Sequence, residues 1–144
     1  MTTDRNERPA PPTRDESLDW SLVIPAYNEL ATGRLGPALR AVEAFAARHC
    51  PRHEIIVVDD ASSDGTSAFV QSEFPVVRLL RNERNRGKGY SVRRGLLAAR
   101  GRWVLFTDAD LSTPIEELAR FEAELRAGAD MVIGSRGLRE PVIE

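Results

Sequence analysis

This sequence has little of several features that would narrow its class. Its only cysteine is Cys50, which excludes an internal disulfide and a metal site built from several cysteines. No stretch approaches the roughly 18 consecutive apolar residues that a membrane-spanning helix needs, and the first residues lack the apolar segment of a signal peptide. Neither sign of charge predominates, because the sequence has 20 Lys and Arg residues and 22 Asp and Glu residues. The protein as a whole therefore does not attract nucleic acid. We therefore expect a cytoplasmic domain with no nucleic-acid partner.

Apolar residues are scarce in residues 1–19, which carry eight charged residues and three prolines. Such a segment buries too little surface to offset the entropy of ordering it. We expect 1–19 to be a disordered tail and the folded domain to extend over 20–144.

From Trp20 onward, short apolar runs alternate with helix-length segments. The runs are rich in Val and Ile and are apolar without alternation, which is typical of strands covered on both faces. Repeated strand–helix–strand units predict an α/β domain with a mainly parallel sheet of about five strands and helices on both faces. The predicted strands are WSLVIP, EIIVVDD, VVRLL, WVLFTDAD and DMVIGSR, and the predicted helices are GPALRAVEAFAARH, DGTSAFVQSEF, GKGYSVRRGLLAAR and PIEELARFEAELRA.

Acidic residues are concentrated at the carboxyl ends of three predicted strands, where ligands bind in open parallel sheets. Like charges gathered at one edge repel each other, and a bound cation removes that cost. The acids in question are Glu29 after the first strand, Asp59, Asp60 and Asp64 after the second, and Asp108 and Asp110 after the fourth.

Asp108 and Asp110 flank a single residue, so both side chains can point the same way from an extended strand end. Two carboxylates with open positions suit Mg²⁺ or Mn²⁺ shared with substrate phosphates. An isolated Asp-x-Asp is also typical of a turn followed by a helix cap. The other acids at the same edge favour the metal site.

The second strand end and the residue Tyr27 each have two interpretations. A carboxylate of Asp59 or Asp60 could accept a hydrogen bond from a base or a ribose, but acids near a helix start are frequently caps. Tyr27 could stack on a base or pack in the core.

The only lysine, Lys88, lies between Gly87 and Gly89 in a basic stretch. Residues 78–102 contain nine cations and one acid, and the stretch can be a solvated helix face, a diphosphate site or a contact for an anionic membrane surface. Lys88 is predicted to open a helix, where backbone N–H groups and a compact ammonium can approach phosphate. The nucleotide P-loop pattern is absent, and no dinucleotide-binding glycine pattern follows the first strand.

Five motifs, taken in order, resemble family 2 glycosyltransferases of the GT-A fold. They are SLVIPAYNE, EIIVVDDASSDGT, RNRGKGYSVRRGLLAARG, WVLFTDADLSTPIEEL and VIGSR. The string DADLSTPIEEL is most similar to the polyprenyl (dolichyl) phosphate β-glucosyltransferase branch. The resemblance extends from Trp20 to about Arg139 and implies a Rossmann-like GT-A domain that binds a nucleotide sugar.

The resemblance implies that five residues at the first two strand ends bind the nucleotide. Pro25, Tyr27 and Glu29 would frame it. Asp60, with Asp59 beside it, would contact the uracil or the ribose.

The resemblance also implies that four residues around the donor diphosphate take part in the reaction. Lys88 would lie near the nucleotide and its phosphates. Asp108 and Asp110 would hold Mg²⁺ or Mn²⁺ on the donor diphosphate. Arg136 would approach the donor sugar or the acceptor phosphate.

The activity that the resemblance implies is metal-dependent, inverting transfer of a hexose, glucose in this branch, from UDP-glucose to a polyprenyl phosphate at the membrane surface. We expect the acceptor-side segment of such enzymes to be absent after Glu144, so that 20–144 is the donor-binding half. The alternative is a non-catalytic remnant that binds nucleotide sugar. A nucleotidyltransferase of similar fold is disfavoured, because its glycine- and Lys/Arg-rich loop does not follow the first strand.

Ala61 stands where family 2 glycosyltransferases usually have glycine.

Overall fold

The computed structural model describes residues 13–134, which form four strands and five α-helices. The strands are β1 (Trp20–Ala26), β2 (His53–Asp59), β3 (Arg78–Arg81) and β4 (Trp103–Phe106). The helices are α1 (Glu29–Thr32), α2 (Leu35–His49), α3 (Thr66–Glu73), α4 (Lys88–Ala98) and α5 (Leu118–Arg126), the last preceded by a 3-10 turn at Ile115–Glu117. None of the helices in this range is long and apolar enough to cross a membrane.

All strand pairs are parallel, and the strand order is β3-β2-β1-β4. The two long apolar runs form the centre of the sheet, and Trp20 at the start of β1 is in register with His53 of β2 and Trp103 of β4. This confirms the predicted parallel α/β sheet. Because the strands are parallel, their carboxyl ends lie at one edge.

The predicted number of strands is wrong for the described residues, which contain four strands rather than five. In the predicted fifth strand, DMVIGSR, residues 130–134 have no strand structure, and Ser135 and Arg136 lie outside the described residues. Met131 and Ile133 are each 76% exposed, whereas a strand covered on both faces would bury them. An apolar run does not by itself indicate a strand when no neighbour pairs with it.

Helices cover both faces of the sheet, as predicted. Alternate residues of β1 point to opposite faces. Leu22 and Ile24 belong to a large buried cluster that includes Leu39 and Val42 of α2. Val23 belongs to a separate cluster on the other face, next to α4, with further members Ile56, Val58 and Ala99.

Helix α4 lies against the sheet at Gly95, which is buried. A Cβ atom built at Gly95 would overlap a methyl group of Val23 and come within 3.1 Å of one on Val58. Only a residue without a side chain allows this approach, so Gly95 sets the distance between α4 and the sheet.

At the amino end of the sheet lie a pair of aromatic rings and the segment that leads into β1. The rings of Trp20 and Trp103 lie 5.3 Å apart between centroids. Asp15 donates its backbone N–H to the Arg100 carbonyl at 2.8 Å, and the Asp19 carboxylate accepts hydrogen bonds from the Arg52 guanidinium at 2.6 and 2.9 Å. Contacts with the domain therefore begin several residues before the predicted boundary at Trp20. Residues 1–12 of the predicted tail lie outside the described residues.

Candidate functional site

A cavity of about 360 Å³ opens at the carboxyl edge of the sheet, between the ends of β1, β2 and β4 and the beginning of α4. It brings together seven of the nine residues that the sequence predicted for the site. They are Pro25, Tyr27, Glu29, Asp60, Lys88, Asp108 and Asp110. The structure does not bring Asp59 into the cavity wall, and Arg136 lies outside the described residues.

Asp108 is the first residue and Asp110 the third residue of a tight turn that follows β4. The Leu111 N–H donates to the Asp108 carbonyl at 3.0 Å, and Leu111 adopts a left-handed backbone with φ of 49°. The Ser112 backbone N–H donates to Asp110 Oδ1 at 2.9 Å. This hydrogen bond is the main cause that lowers the pKa of Asp110, and the charge of Arg34 lowers it further. Asp110 is therefore a carboxylate at neutral pH.

Lys88 Nζ lies 2.5 Å from Asp108 Oδ1. Both side chains are open to solvent, at 60% and 38% exposure. The cavity therefore contains a cation already paired with one of its two neighbouring carboxylates.

The donor set fits a metal that is shared with substrate rather than one held by the protein alone. Within residues 13–134, no group of three or more His, Cys, Asp or Glu side chains is arranged to hold a metal ion. Asp108 and Asp110 supply two hard carboxylates. Mg²⁺ typically keeps several waters and binds through one or two carboxylates plus substrate phosphates, so two carboxylates suffice for this mode of binding.

Asp60 is 4% exposed and fixes the loop before α4. Its Oδ1 accepts hydrogen bonds from Asn82 Nδ2 at 2.7 Å and from the Arg86 N–H at 2.9 Å, and its Oδ2 accepts the Gly87 N–H at 2.8 Å. Burial raises the pKa of Asp60, but the hydrogen bonds from Asn82, Arg86 and Gly87 outweigh burial and lower the pKa overall. The Ser91 hydroxyl also lowers the pKa of Asp60, so this carboxylate is held by several neighbouring residues where it lines the cavity.

Asp59 has a different environment because neighbouring residues of a strand point to opposite sides. Its side chain is fully buried, and the Arg81 guanidinium lies 2.8 Å from Asp59 Oδ2. The hydroxyl groups of Ser62 and Ser67 also donate to this carboxylate. With its oxygens occupied in the protein interior, Asp59 holds the β2–α3 loop against β3.

Tyr27 is 49% exposed at the mouth of the cavity, which favours the stacking interpretation over the core one. The chain turns sharply after it, because Asn28 has φ of 51°. The Asn28 Oδ1 accepts the Ser63 N–H at 2.9 Å, and the Asn28 N–H donates to Ser62 Oγ at 2.8 Å. The loops after β1 and β2 are thereby joined beside the cavity.

Much of the basic stretch 78–102 is used inside the protein. Arg78 and Arg100 lie 3.6 and 3.2 Å from the Glu54 carboxylate. Arg94 donates to Asn82 Oδ1 at 2.7 Å, and Arg86 stacks over the Tyr90 ring. These contacts within the protein account for several of the arginines of the stretch, whereas Lys88 lines the cavity.

Among the cavity residues that were not predicted from the sequence, three have polar or charged side chains: Arg34, Asn85 and Ser91. Arg34 follows the short helix α1 and Gly33, which has a left-handed backbone conformation. No periodic pattern in the sequence indicates this chain reversal. Asn85 lies in the loop held by Asp60. Ser91 belongs to α4, and its spacing of three residues from Lys88 could have indicated a shared helix face.

Ala61 occupies a left-handed backbone conformation with φ of 62°, between the two aspartates and Ser62. A Cβ atom is disfavoured there by roughly 1–2 kcal/mol, and glycine costs about 0.5–1 kcal/mol in entropy. We expect Ala61→Gly to raise the free energy of unfolding by up to about 1 kcal/mol, measured by urea denaturation. Ala41→Gly, on the exposed side of α2, is the control and should lower it by about 1 kcal/mol. Equal losses in both variants would show that the Ala61 conformation carries no strain.

Comparison with known proteins identifies relatives over most of the chain. Succinoglycan biosynthesis protein ExoO of Rhizobium meliloti is 38% identical over 125 residues, which are 85% of this chain and 34% of that protein. The dolichyl-phosphate beta-glucosyltransferase of Saccharomyces cerevisiae is 35% identical over 115 residues, which are 74% of this chain and 34% of that protein. The chain thus spans about a third of the length of these relatives.

Solved structures support the same relationship. TarS of S. aureus (1–349) aligns with a TM-score of 0.55 and 28% identity, over 74% of this chain and 33% of that one. The mannosyltransferase PcManGT from Pyrobaculum calidifontis, in complex with GDP-Man and Mn²⁺, aligns with a TM-score of 0.55 and 27% identity, over 72% and 31%. The fold is the Rossmann-like GT-A fold. A family model described as Glycosyl transferase family 2 matches residues 21–143, and the chain belongs to that family.

Proposed function

We propose that this domain binds UDP-glucose with Mg²⁺ or Mn²⁺ and takes part in inverting transfer of glucose to a polyprenyl phosphate. The observation that carries the proposal is the cavity at the sheet edge, which combines an exposed aromatic ring, a pair of neighbouring carboxylates and a lysine. Dolichyl-phosphate beta-glucosyltransferases are among the relatives. UDP and UDP-GlcNAc are bound in two related TarS structures.

Tyr27 and Asp60 suit the nucleoside part of the donor. The exposed Tyr27 ring offers a face for the base, and stacking on an aromatic ring contributes about 1–3 kcal/mol per base. Asp60 lines the same cavity, where a carboxylate oxygen can accept an N–H of the base or a ribose hydroxyl. Pro25 and Glu29 form the wall beside them.

Asp108, Asp110 and Lys88 suit the diphosphate. A divalent ion bound by the two carboxylates would supply Lewis-acid neutralisation of the charge that develops on the leaving nucleoside diphosphate. The Lys88 ammonium can reach the oxygens of the leaving diphosphate and adds a second source of positive charge. An acceptor phosphate is already anionic, so it needs less help from a strong general base than a sugar hydroxyl would. Attack opposite the leaving group inverts an α-linked donor to a β-linked product.

Calorimetry of UDP-glucose binding tests the proposal. We expect binding in the presence of Mn²⁺, loss of binding when EDTA removes the metal, and at least about 100-fold weaker binding in Asp110→Ala. Asp130→Ala is the matched control, because it removes an exposed carboxylate outside the cavity and should bind like the unmodified protein.

Two outcomes would contradict parts of the proposal. Undiminished binding by Asp110→Ala would remove the metal role from this residue. Binding of UDP-glucose without transfer of labelled glucose to a polyprenyl phosphate, measured in the same samples, would favour the alternative of a non-catalytic domain that binds nucleotide sugar.

A further inference from the structure

The backbone of Lys88 is fixed where it lines the cavity. It is the first residue of α4, and the preceding Gly87 has φ of 90°, a conformation that favours glycine. The buried Asp60 carboxylate accepts the N–H groups of Arg86 and Gly87. This anchor fixes where α4 begins, so the Lys88 side chain starts from a defined point and only its four-carbon stem is free to move.

The position that the Lys88 ammonium occupies is one that a metal bound to Asp108 would need. Lys88 Nζ lies 2.5 Å from Asp108 Oδ1, and two cations cannot share one carboxylate oxygen at that distance without repulsion. Asp108 is therefore neutralised from within the protein when no ligand is bound, whereas the hydrogen bond that Asp110 accepts at 2.9 Å comes from the Ser112 N–H, a neutral donor.

Resting on the function proposed above, we propose that Lys88 is an internal counter-ion that competes with the divalent cation for Asp108, and that a nucleoside diphosphate relieves this competition by drawing the ammonium onto its phosphates. Metal and nucleotide then bind cooperatively through Lys88. Each raises the affinity for the other by the same factor, as linkage requires.

The exposure of the pair makes such an exchange inexpensive. Lys88 and Asp108 are 60% and 38% exposed, and ion pairs in contact with water are individually weak. A diphosphate carries more negative charge than one carboxylate and offers several acceptor oxygens to the three ammonium donors. A flexible lysine can follow the phosphate more readily than a planar guanidinium could. Nineteen of the 20 basic residues are arginine, and the single lysine stands at this position.

Titration with Mn²⁺ alone, followed by electron paramagnetic resonance of the free ion, tests the proposal without activity as the readout. In the absence of nucleotide, we expect the full chain with Lys88→Met to bind Mn²⁺ about fivefold more tightly than the unmodified protein. Arg84→Met is the matched control, because it removes one exposed positive charge from the loop just before Lys88 and should leave the Mn²⁺ affinity unchanged. Circular dichroism checks that both variants are folded.

Repeating the titration with saturating UDP measures the coupling. UDP should raise the Mn²⁺ affinity of the unmodified protein, and it should raise that of Lys88→Met by a factor about fivefold smaller. Equal or weaker Mn²⁺ binding by Lys88→Met without nucleotide would overturn the counter-ion role. If the unmodified protein then still binds UDP with Mn²⁺, the proposed function stands alone, and if it binds neither, both proposals are wrong.

Discussion

Replacing Gly95 by alanine is expected to lower the free energy of unfolding by about 3 kcal/mol, the upper part of the range for overpacked cores. The new methyl group would overlap a methyl group of Val23, which is fully buried in the central strand β1. Val23 cannot move away, because Ile56 and Val58 are buried beside it in the same cluster. Helix α4 would have to move outward, which would expose part of that cluster. Urea denaturation followed by circular dichroism measures the loss.

Gly89→Ala provides a control on the same helix. Apart from the chain neighbours and the backbone of the same helix, no heavy atom of the described residues lies within 4 Å of a Cβ atom built at Gly89, so alanine meets no obstacle there. We expect unchanged stability or a gain of up to about 1 kcal/mol from the better helix propensity of alanine. Similar losses in both variants would indicate that α4 tolerates no substitution for reasons other than its distance from the sheet.

Replacing Arg81 by methionine is expected to lower the free energy of unfolding by about 3 kcal/mol, the cost of leaving a buried charge without its partner. Asp59 is fully buried, and Arg81 donates to its Oδ2 at 2.8 Å, to Ser67 Oγ at 2.9 Å and to the Ser62 carbonyl at 2.9 Å. Without the guanidinium, the Asp59 carboxylate would keep only its hydroxyl and N–H donors. The variant is measured by urea denaturation at neutral pH.

Arg81→Lys separates charge from geometry in the same experiment. The ammonium restores a positive charge near Asp59 but cannot make all three hydrogen bonds of the planar guanidinium. We expect it to recover part of the loss. If Arg81→Met were as stable as the unmodified protein, water entering beside the half-exposed Arg81 side chain would be sufficient to solvate Asp59.

The sheet could be predicted from the sequence because burial on both faces leaves a clear pattern. The runs WSLVIP and EIIVVDD correspond to β1 and β2 within one residue at each end. The shorter edge strands were less certain in length. β3 begins at Arg78 rather than Val76, since Val76 is 80% exposed after α3. β4 ends at Phe106 because the chain turns towards Asp108.

The location of the site could also be predicted, but the sequence did not indicate which of two adjacent residues faces the cavity and which is buried. A parallel sheet places its carboxyl ends together, so Tyr27, Asp60 and Asp108 were expected near one another. Which of Asp59 and Asp60 faces the cavity depends on the facing partners, Arg81 in one case and the Arg86–Gly87 backbone in the other. These partners come from distant parts of the chain, and local sequence contains no signal for them.

The tryptophan pair gives this domain a built-in optical reporter of one end only. The chain contains two tryptophans, Trp20 and Trp103, and both stand at the first residue of neighbouring strands. The six residue steps from Trp20 to Ala26 separate the pair from the ligand edge by about 20 Å. Their emission should therefore respond when β1 and β4 come apart and stay nearly constant as the cavity fills, so that fluorescence monitors global unfolding separately from ligand binding.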